Sequence, residues 1–260
     1  MNNIIAESGA IVSIWLGETS SSYDGGVPGV SDSFVAGFMW LDKLGVAARL
    51  GHKVVIRQSF YGGAYSLIHE KSFDPIPDYW SSLLYKMLVG RRVLEVRGGI
   101  ALDRKIRIYA HCASEKSIYS RGSIVFIALN TQAHEKELIF ANGLQNLPVD
   151  QYLLTPGDGA NLTSQTVKLN GAHLALINDT FLPGIQPKRI FPSRKPIVLP
   201  PLSYWFFVIA QTNAKACQVG GQLAGCINDL RKQSLEDELL RHEAMHHQGR
   251  YWRCFNTELQ

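Results

Sequence analysis

The carboxylate best placed for chemistry in this sequence is Glu18. It follows an apolar run from Ile11 to Leu16, which predicts a buried strand. A polar loop rich in Ser and Gly comes next, and a helix is predicted to begin near Ser31 or Asp32. A carboxylate between a strand and a helix is typical of βα-barrel enzymes, whose catalytic groups sit at the carboxyl ends of the strands. The pattern predicts that Glu18 is catalytic, and the alternative is a salt bridge at a strand end.

A second constellation lies near the C-terminal end, where His242 and His246 flank Glu243 in an H-E-x-x-H pattern. On a helix this spacing places two zinc ligands on one face, with the glutamate as general base. The sequence has no convincing third ligand downstream, and its four cysteines show no spacing typical of metal sites. We therefore predict no metal and no cofactor, and a zinc protease is only the third hypothesis.

Several longer motifs closely resemble the heparanase family of glycoside hydrolases. The first reads Trp-Leu-Gly-Glu-Thr-Ser-Ser-Ser-Tyr and contains Glu18. The matching segments are residues 15–23, 31–45, 55–62, 73–80 and 203–209. The resemblance extends over residues 5–217 and is to the C-terminal half of that family's enzymes.

The resemblance implies a retaining endo-β-glucuronidase that cleaves heparan sulfate. In retaining glycosidases one carboxylate attacks the anomeric carbon and a second, about 5 Å away, protonates the leaving oxygen. Glu18 matches the nucleophile. The family's proton donor lies in an Asn-Glu-Pro context that this sequence lacks, and neither Glu7 nor Glu70 matches it. The chain alone is therefore predicted to be inactive, and the alternative is a non-catalytic heparan sulfate-binding protein or an inactive heparanase-like protein.

The same resemblance implies that two loops contact the substrate. One follows Glu18 and the other follows Gln58, which ends the second predicted strand. Asp24 stands where the family pattern predicts glycine, and its charge would weaken the binding of an anionic substrate. The second loop is predicted to be one residue shorter than in the family. The implied contact residues are Tyr23, Asp24, Gly25, Gln58, Gly63, Ala64 and Tyr65.

Cys112 resembles a family cysteine that is bridged to a residue near the C-terminus. The implied partner is Cys217, and Cys226 is the alternative; Cys254 has no evident role.

A basic cluster near the middle of the chain is either a solvated strand face or a secondary docking patch for heparin. Its members are Arg91, Arg92, Arg97, Arg104, Lys105 and Arg107.

Composition narrows the class of protein. The 260 residues are 46% hydrophobic and 18% charged, which fits one globular unit or two small domains. The net charge of +4 is compatible with an anionic partner without requiring one, and we predict no nucleic-acid partner. No apolar run is long enough to predict a transmembrane segment.

Signals for localisation conflict. The N-terminus lacks the features of a signal peptide, which by itself favours the cytosol. Two sequons, at Asn161 and Asn178, are typical of secreted glycoproteins. The resemblance implies secretion to the extracellular matrix and the lysosome, and therefore an N-terminal segment or subunit that this chain lacks.

The elements that must position these residues follow from periodicity. A helix is predicted over 32–50, capped by Ser31 or Asp32 and stopped by Gly51. A strand over 53–58 follows, and then a helix that begins at Pro77 and ends at Gly90. With the strand over 11–17 these make two βα units, which the resemblance identifies as the last two of a (β/α)8 TIM barrel.

After Gly90 short alternating segments replace helices, which predicts an antiparallel β-sandwich. The fold class is therefore α/β plus β, with a barrel part over 1–89, a sandwich over 90–217 and a partly helical or disordered tail over 218–260. The predicted sandwich strands are 92–97, 105–112, 123–130, 151–155, 165–169, 173–177 and 202–209.

Overall fold

The structure is a computed structural model, and its first half alternates strands and helices. It describes Glu7 and residues 12–97, 105–140, 143–178, 181–191 and 196–218. The first elements are β1 (Trp15–Thr19), α1 (Phe34–Arg49), β2 (Val54–Arg57) and α2 (Pro77–Leu88). β1 and β2 pair in parallel, with Trp15 opposite Val54 and Thr19 opposite Arg57. Within the described ranges these two strand–helix units form an open pair of strands and not a closed barrel.

The start of α1 differs from the prediction. Its N-cap is Ser33, with extended φ −121° and ψ 172°, and no side chain caps the helix. The Ser33 hydroxyl instead donates to the carbonyl of Val30. The far end agrees with the prediction, since the helix stops at Arg49 and Gly51 follows with φ +83°.

α2 begins at Pro77, as predicted, because proline has no amide hydrogen to lose at a first helical position. The prediction that Gly90 ends this helix is wrong: α2 ends at Leu88, and strand β3 starts at the next residue and includes Gly90. A Cβ at Gly90 would lie 2.5 Å from the carbonyl oxygen of Cys112. Gly90 therefore permits a close approach between strands and does not terminate the helix.

Antiparallel strands form the second half of the described chain. Eight of them make one sheet in the order β3-β4-β5-β12-β7-β8-β9, with β10 on β7, and β11 pairs with β6 in a separate sheet. The strands are β3 (Val89–Leu94), β4 (Ile106–Ala113), β5 (Ile124–Asn130), β6 (Lys136–Leu138), β7 (Val149–Pro156), β8 (Val167–Leu169), β9 (Ala172–Leu174), β10 (Lys188–Ile190), β11 (Ile197–Leu199) and β12 (Ser203–Ile209). A 3-10 turn at Leu144–Asn146 and the short helix α3 (Lys215–Gln218) complete the described elements.

The centre of the large sheet is covered on both faces, and its strand β12 has no exposed residue. Alternate residues of a strand point to opposite faces. Tyr204 and Phe206 of β12 pack in the core formed with α1 and α2, whereas Trp205 and Phe207 pack in the core beneath the β6–β11 pair. The second layer over the described ranges is thus a two-stranded sheet.

A disulfide joins Cys112 of β4 to Cys217 of α3 across 105 residues. Both cysteines are those that the resemblance implied. In the chain-entropy model a loop of this length contributes about 4–5 kcal/mol to the free energy of unfolding. The bond fixes the C-terminal end of the described chain to the large sheet.

The exposed surface of the parallel pair is unusually apolar. Trp15 is 61% exposed and Ile56 is 44% exposed, and Val12 just before β1 is 60% exposed. Strands of parallel sheets are normally covered on both faces. No helix among the described residues has the length and apolar character needed to cross a membrane.

Gly45→Ala is expected to lower the free energy of unfolding by about 1–3 kcal/mol, the usual cost of overpacking a core. A Cβ at Gly45 in α1 would overlap the buried ring of Tyr109 on β4. Urea unfolding measures the effect, with Gly184→Ala as the control because nothing lies within 4 Å of its Cβ position. A stabilised Gly45→Ala variant would contradict the packing, since alanine's helix propensity alone favours the change by about 1 kcal/mol.

Candidate active site

Glu18 lies on β1, one residue before its end, and its side chain is exposed. The neighbouring strand ends level with it, because the amide of Gln58 donates to the carbonyl of Thr19 at 2.9 Å. The carboxyl ends of both parallel strands thus meet at Glu18 and Gln58. The predicted nucleophile is accessible at the edge where βα enzymes carry their catalytic groups.

Lys43 of α1 fixes the backbone beside Glu18. Its ammonium donates to the hydroxyl of Thr19 and to the carbonyl of Ser20, each at 2.6 Å. Burial, and to a lesser extent the positive charge of Arg57, lower the pKa of Lys43. The lysine therefore holds the strand end that carries Glu18.

Three consecutive residues of the loop after β1 have a left-handed backbone conformation. Asp24, Gly25 and Gly26 have φ of 55°, 81° and 90°. Aspartate tolerates this conformation better than most residues, so Asp24 fits where the resemblance predicted glycine. Tyr23 extends into solvent at 95% exposure.

The loops after β1 and β2 touch each other. The amide of Tyr65 donates to the carbonyl of Gly25 at 3.2 Å, and a Cβ at Gly63 would lie 2.9 Å from the same oxygen. The amide group of Gln58 lies 3.4 Å from the hydroxyl of Tyr65. The structure therefore brings Gly25, Gln58, Gly63 and Tyr65 together, and Ala64 lies between the last two.

A buried cation that the sequence prediction missed supports the second loop. Arg57 donates from Nε and from a terminal nitrogen to the carbonyl of Tyr65, at 3.2 and 2.6 Å. Its other terminal nitrogen lies 2.7 Å from a carboxylate oxygen of Asp78, and its guanidinium lies 4.7 Å from the ring centroid of Trp40. The side chains of Arg57 and Asp78 are 8% and 1% exposed. Burial raises the pKa of Asp78, and the charge and hydrogen bond of Arg57 oppose that rise.

One signal would have revealed this pair. Arg57 ends a strand of Val and Ile residues, and Asp78 follows a proline at the start of α2. Charged residues in elements predicted to be buried are rarely tolerated without a partner of opposite charge. Two such residues, each beside a predicted core segment, indicate a pair.

Other predicted features have mixed outcomes. Asn161 is exposed, with its side-chain oxygen accepting from Thr163, and Asn178 is exposed as well. Glycosylation at these asparagines stays a prediction.

The H-E-x-x-H segment, Cys226 and Cys254 lie outside the described residues. Within the described ranges no group of three potential ligands is placed to hold a metal.

Three members of the basic cluster form hydrogen bonds or ion pairs within the protein. Arg92 donates to the carbonyl of Ala216, Arg97 pairs with Glu95, and Arg107 lies 3.6 Å from a carboxylate oxygen of Asp42. Arg104 lies outside the described residues. These contacts favour a structural role for at least part of the cluster, and the docking patch stays a prediction.

Comparison with known proteins matches this site to one family. The model of the glycosyl hydrolase family 79 N-terminal domain matches residues 1–45, which include Glu18. Heparanase from Bos taurus is 44% identical over 209 residues, covering 78% of this chain and 37% of the relative. The chain belongs to glycosyl hydrolase family 79. The family model's match thus includes Glu18 and the loop after β1.

Two further relatives have different names, one of an inactive protein and one of an enzyme. Inactive heparanase-2 from Homo sapiens is 40% identical over 215 residues, covering 79% of this chain and 36% of the relative. Hyaluronoglucuronidase from Hirudo nipponia is 39% identical over 210 residues, covering 79% of this chain and 42% of the relative. The chain thus spans about two fifths of the length of the relatives it matches.

Proposed function

We propose that this chain supplies the nucleophile half of a retaining endo-β-glucuronidase that cleaves heparan sulfate. The observation that carries the proposal is the exposed carboxylate of Glu18 at the paired ends of two parallel strands, beside two touching loops. The carboxylate attacks the anomeric carbon of a glucuronide and forms a covalent glycosyl–enzyme intermediate, which water then hydrolyses.

The proton donor comes from outside this chain in our proposal. In a retaining enzyme the second carboxyl group lies about 5 Å from the nucleophile. Glu70, an exposed loop residue, does not match the family's Asn-Glu-Pro context, and the sequence contains no such tripeptide. Without the donor the leaving group is not protonated, which removes a contribution of roughly 10²- to 10⁴-fold. The chain alone therefore hydrolyses no heparan sulfate at a measurable rate.

The exposed apolar residues of the parallel pair support the same conclusion. Trp15, Ile56 and Val12 are about half exposed or more, which is unfavourable for strands of a parallel sheet. An N-terminal segment or subunit with the other strands of a (β/α)8 barrel would cover them. In this arrangement residues 1–89 are barrel, 90–217 form the β-sandwich domain and 218–260 are an appended tail.

The proposed location is the secretory route, the extracellular matrix and the lysosome. The Cys112–Cys217 disulfide supports it, since such bonds persist in oxidising compartments. The heparanase relatives supply the proposed substrate, heparan sulfate or heparin.

Covalent labelling tests the proposal. A chimera in which this chain replaces the matching 209-residue segment of Bos taurus heparanase supplies the upstream barrel strands. A mechanism-based β-glucuronide probe should label that chimera on Glu18, as peptide mass spectrometry would show. A probe adduct on any other carboxylate would refute the assignment of the nucleophile.

The second candidate is a non-catalytic protein that binds heparan sulfate. The 40% identity to inactive heparanase-2 favours it. The same chimera separates the two functions, because a binding protein would retain heparan sulfate without acquiring the label.

A further inference from the structure

Asp24 is exposed on the loop between β1 and α1, and its backbone has a φ of 55°. Glycine adopts this left-handed conformation at a lower cost than aspartate does. Within the described part of the chain the side chain of Asp24 forms no hydrogen bond and no ion pair that would offset that cost. A residue in a less favourable conformation without a supporting contact indicates a role toward a ligand.

The position of Asp24 places its charge at the edge of the candidate site. The carbonyl of the next residue, Gly25, accepts a hydrogen bond of 3.2 Å from the amide of Tyr65, so Asp24 borders the junction of the two loops. Tyr23, the residue before it, is 95% exposed. The loop that follows Glu18 thus offers an aromatic ring and a carboxylate side by side. A sugar ring packs on the former, and its hydroxyls donate to the latter.

No cation on this loop balances the carboxylate, because residues 19–33 contain no Lys, Arg or His. The two cations behind the loop are directed toward the protein. Lys43 donates to the strand end, and Arg57 is 8% exposed and paired with a buried aspartate. On the neighbouring loop Glu70 and Lys71 are adjacent and exposed, so their charges offset each other. The exposed charge that a ligand meets at these two loops is therefore negative.

A carboxylate in this place distinguishes a hydroxyl from a sulfate ester. An ionised carboxylate accepts hydrogen bonds and donates none. A sugar hydroxyl donates to it, whereas a sulfate ester has only acceptor oxygens and a negative charge. Two like charges about 4 Å apart in water repel each other enough to lower an affinity roughly fivefold. Repulsion of one ligand is as effective for specificity as attraction of another.

We propose that Asp24 is a specificity-determining residue that selects unsulfated sugar units. The exocyclic 6-hydroxyl of a hexosamine donates to its carboxylate while the ring packs on Tyr23, and a sulfate on that hydroxyl is repelled. The preferred substrate is then a glucuronate polymer whose hexosamines lack 6-O-sulfate, such as the sparsely sulfated stretches of heparan sulfate. This inference rests on the function proposed above, which assigns the class of glycan.

Asp24→Asn is the decisive variant, because asparagine keeps the size of the side chain and also tolerates the left-handed backbone. Binding is measured by isothermal titration calorimetry at low salt, in the Bos taurus chimera carrying Glu18→Gln so that no ligand is cleaved. The ligands are two hexasaccharides of glucuronate and N-acetylglucosamine, one unsulfated and one 6-O-sulfated. We expect Asp24→Asn to bind the sulfated ligand roughly fivefold tighter and the unsulfated ligand within twofold of the parent.

Two further variants make the result interpretable. Asp24→Gly removes the charge and the acceptor together, so it should gain affinity for the sulfated ligand and lose affinity for the unsulfated one. Glu137→Gln removes the same charge from an exposed site on β6, whose sheet packs on the face of the large sheet opposite α1 and α2. It should leave both affinities within twofold of the parent. Thermal unfolding shows whether each variant folds as the parent does.

The gain in Asp24→Asn should shrink at high salt, since it arises from an exposed charge. An unchanged ratio of the two affinities in both folded Asp24 variants would overturn the assignment. An equal gain in Glu137→Gln, or no binding of either hexasaccharide by the chimera, would do the same.

Failure of this proposal is distinguishable from failure of the proposed function. If the probe labels Glu18 while the Asp24 variants leave the ratio unchanged, the nucleophile stands and the specificity assignment is wrong. If the ratio shifts while Glu18 is not labelled, Asp24 discriminates between glycans that are bound without being cleaved.

Discussion

In the chimera with Bos taurus heparanase, Glu18→Gln is expected to reduce heparan sulfate cleavage by more than about a thousandfold. The amide has nearly the same shape as the carboxylate but cannot attack the anomeric carbon. The nucleophile contributes at least as much as a proton-transfer partner, whose loss costs roughly 10²- to 10⁴-fold. Release of reducing ends from a defined heparan sulfate oligosaccharide measures the loss.

Glu18→Ala and Glu70→Gln complete this experiment. If Glu18 is the nucleophile, azide should restore turnover of an activated aryl glucuronide by Glu18→Ala and give the glycosyl azide of inverted configuration, because a small anion can occupy the vacated space. Glu70 is an exposed loop carboxylate, and its amide variant should retain the activity of the parent chimera. Full activity in Glu18→Gln, or a larger loss in Glu70→Gln, would show that the wrong carboxylate was chosen.

Periodicity predicted the long elements well because their residues repeat one environment. α1 and β12 were predicted within two residues at each end, since α1 keeps one apolar face and β12 is apolar throughout. The equally short β8 and β9 were predicted because Asn170 and Gly171 between them give a hairpin signal, whereas β6, β10 and β11 were missed. Lys136 and Lys188 also begin two of them, which makes those segments look like loops.

The supporting contacts of the site were less predictable than its reacting group. Glu18 is marked by its place after an apolar run, a property of neighbours in sequence. Asp32 was predicted as a cap, yet its carboxylate bonds to Gln165, which is 133 residues away. Arg57 and Asp78 meet across the loop between β2 and α2. The placement of Arg57 and Asp78 beside predicted core segments indicates a charge pair, whereas no local pattern indicates the contact of Asp32 with Gln165, which depends on the tertiary fold.

Arg57→Met is expected to lower the free energy of unfolding at pH 7 by about 3–5 kcal/mol. This is the usual cost of removing one partner of a buried ion pair. Methionine keeps much of the apolar volume but leaves the carboxylate of Asp78 buried and unpaired. The carbonyl of Tyr65 also loses two donors. Urea unfolding measures the loss, and the loop that carries Gln58 and Tyr65 should exchange its amide hydrogens faster.

The pH dependence of that loss identifies its cause. Burial raises the folded-state pKa of Asp78, and removing Arg57 removes the charge that opposes the rise. A raised folded pKa means that the penalty is absent below the unfolded pKa of about 3.9 and is fully present above the folded pKa. The deficit of Arg57→Met relative to the parent should therefore shrink as the pH falls from 7 toward 4.

The double variant Arg57→Met with Asp78→Asn separates lost charge pairing from lost packing. With no ionisable group left at the pair, it should recover part of the stability at pH 7 and show no comparable change in deficit between pH 7 and 4. If the single variant loses as much at pH 4 as at pH 7, packing and the Tyr65 carbonyl explain the loss. The ion pair would then contribute little, and the loop after β2 would depend on the shape of Arg57 and not on its charge.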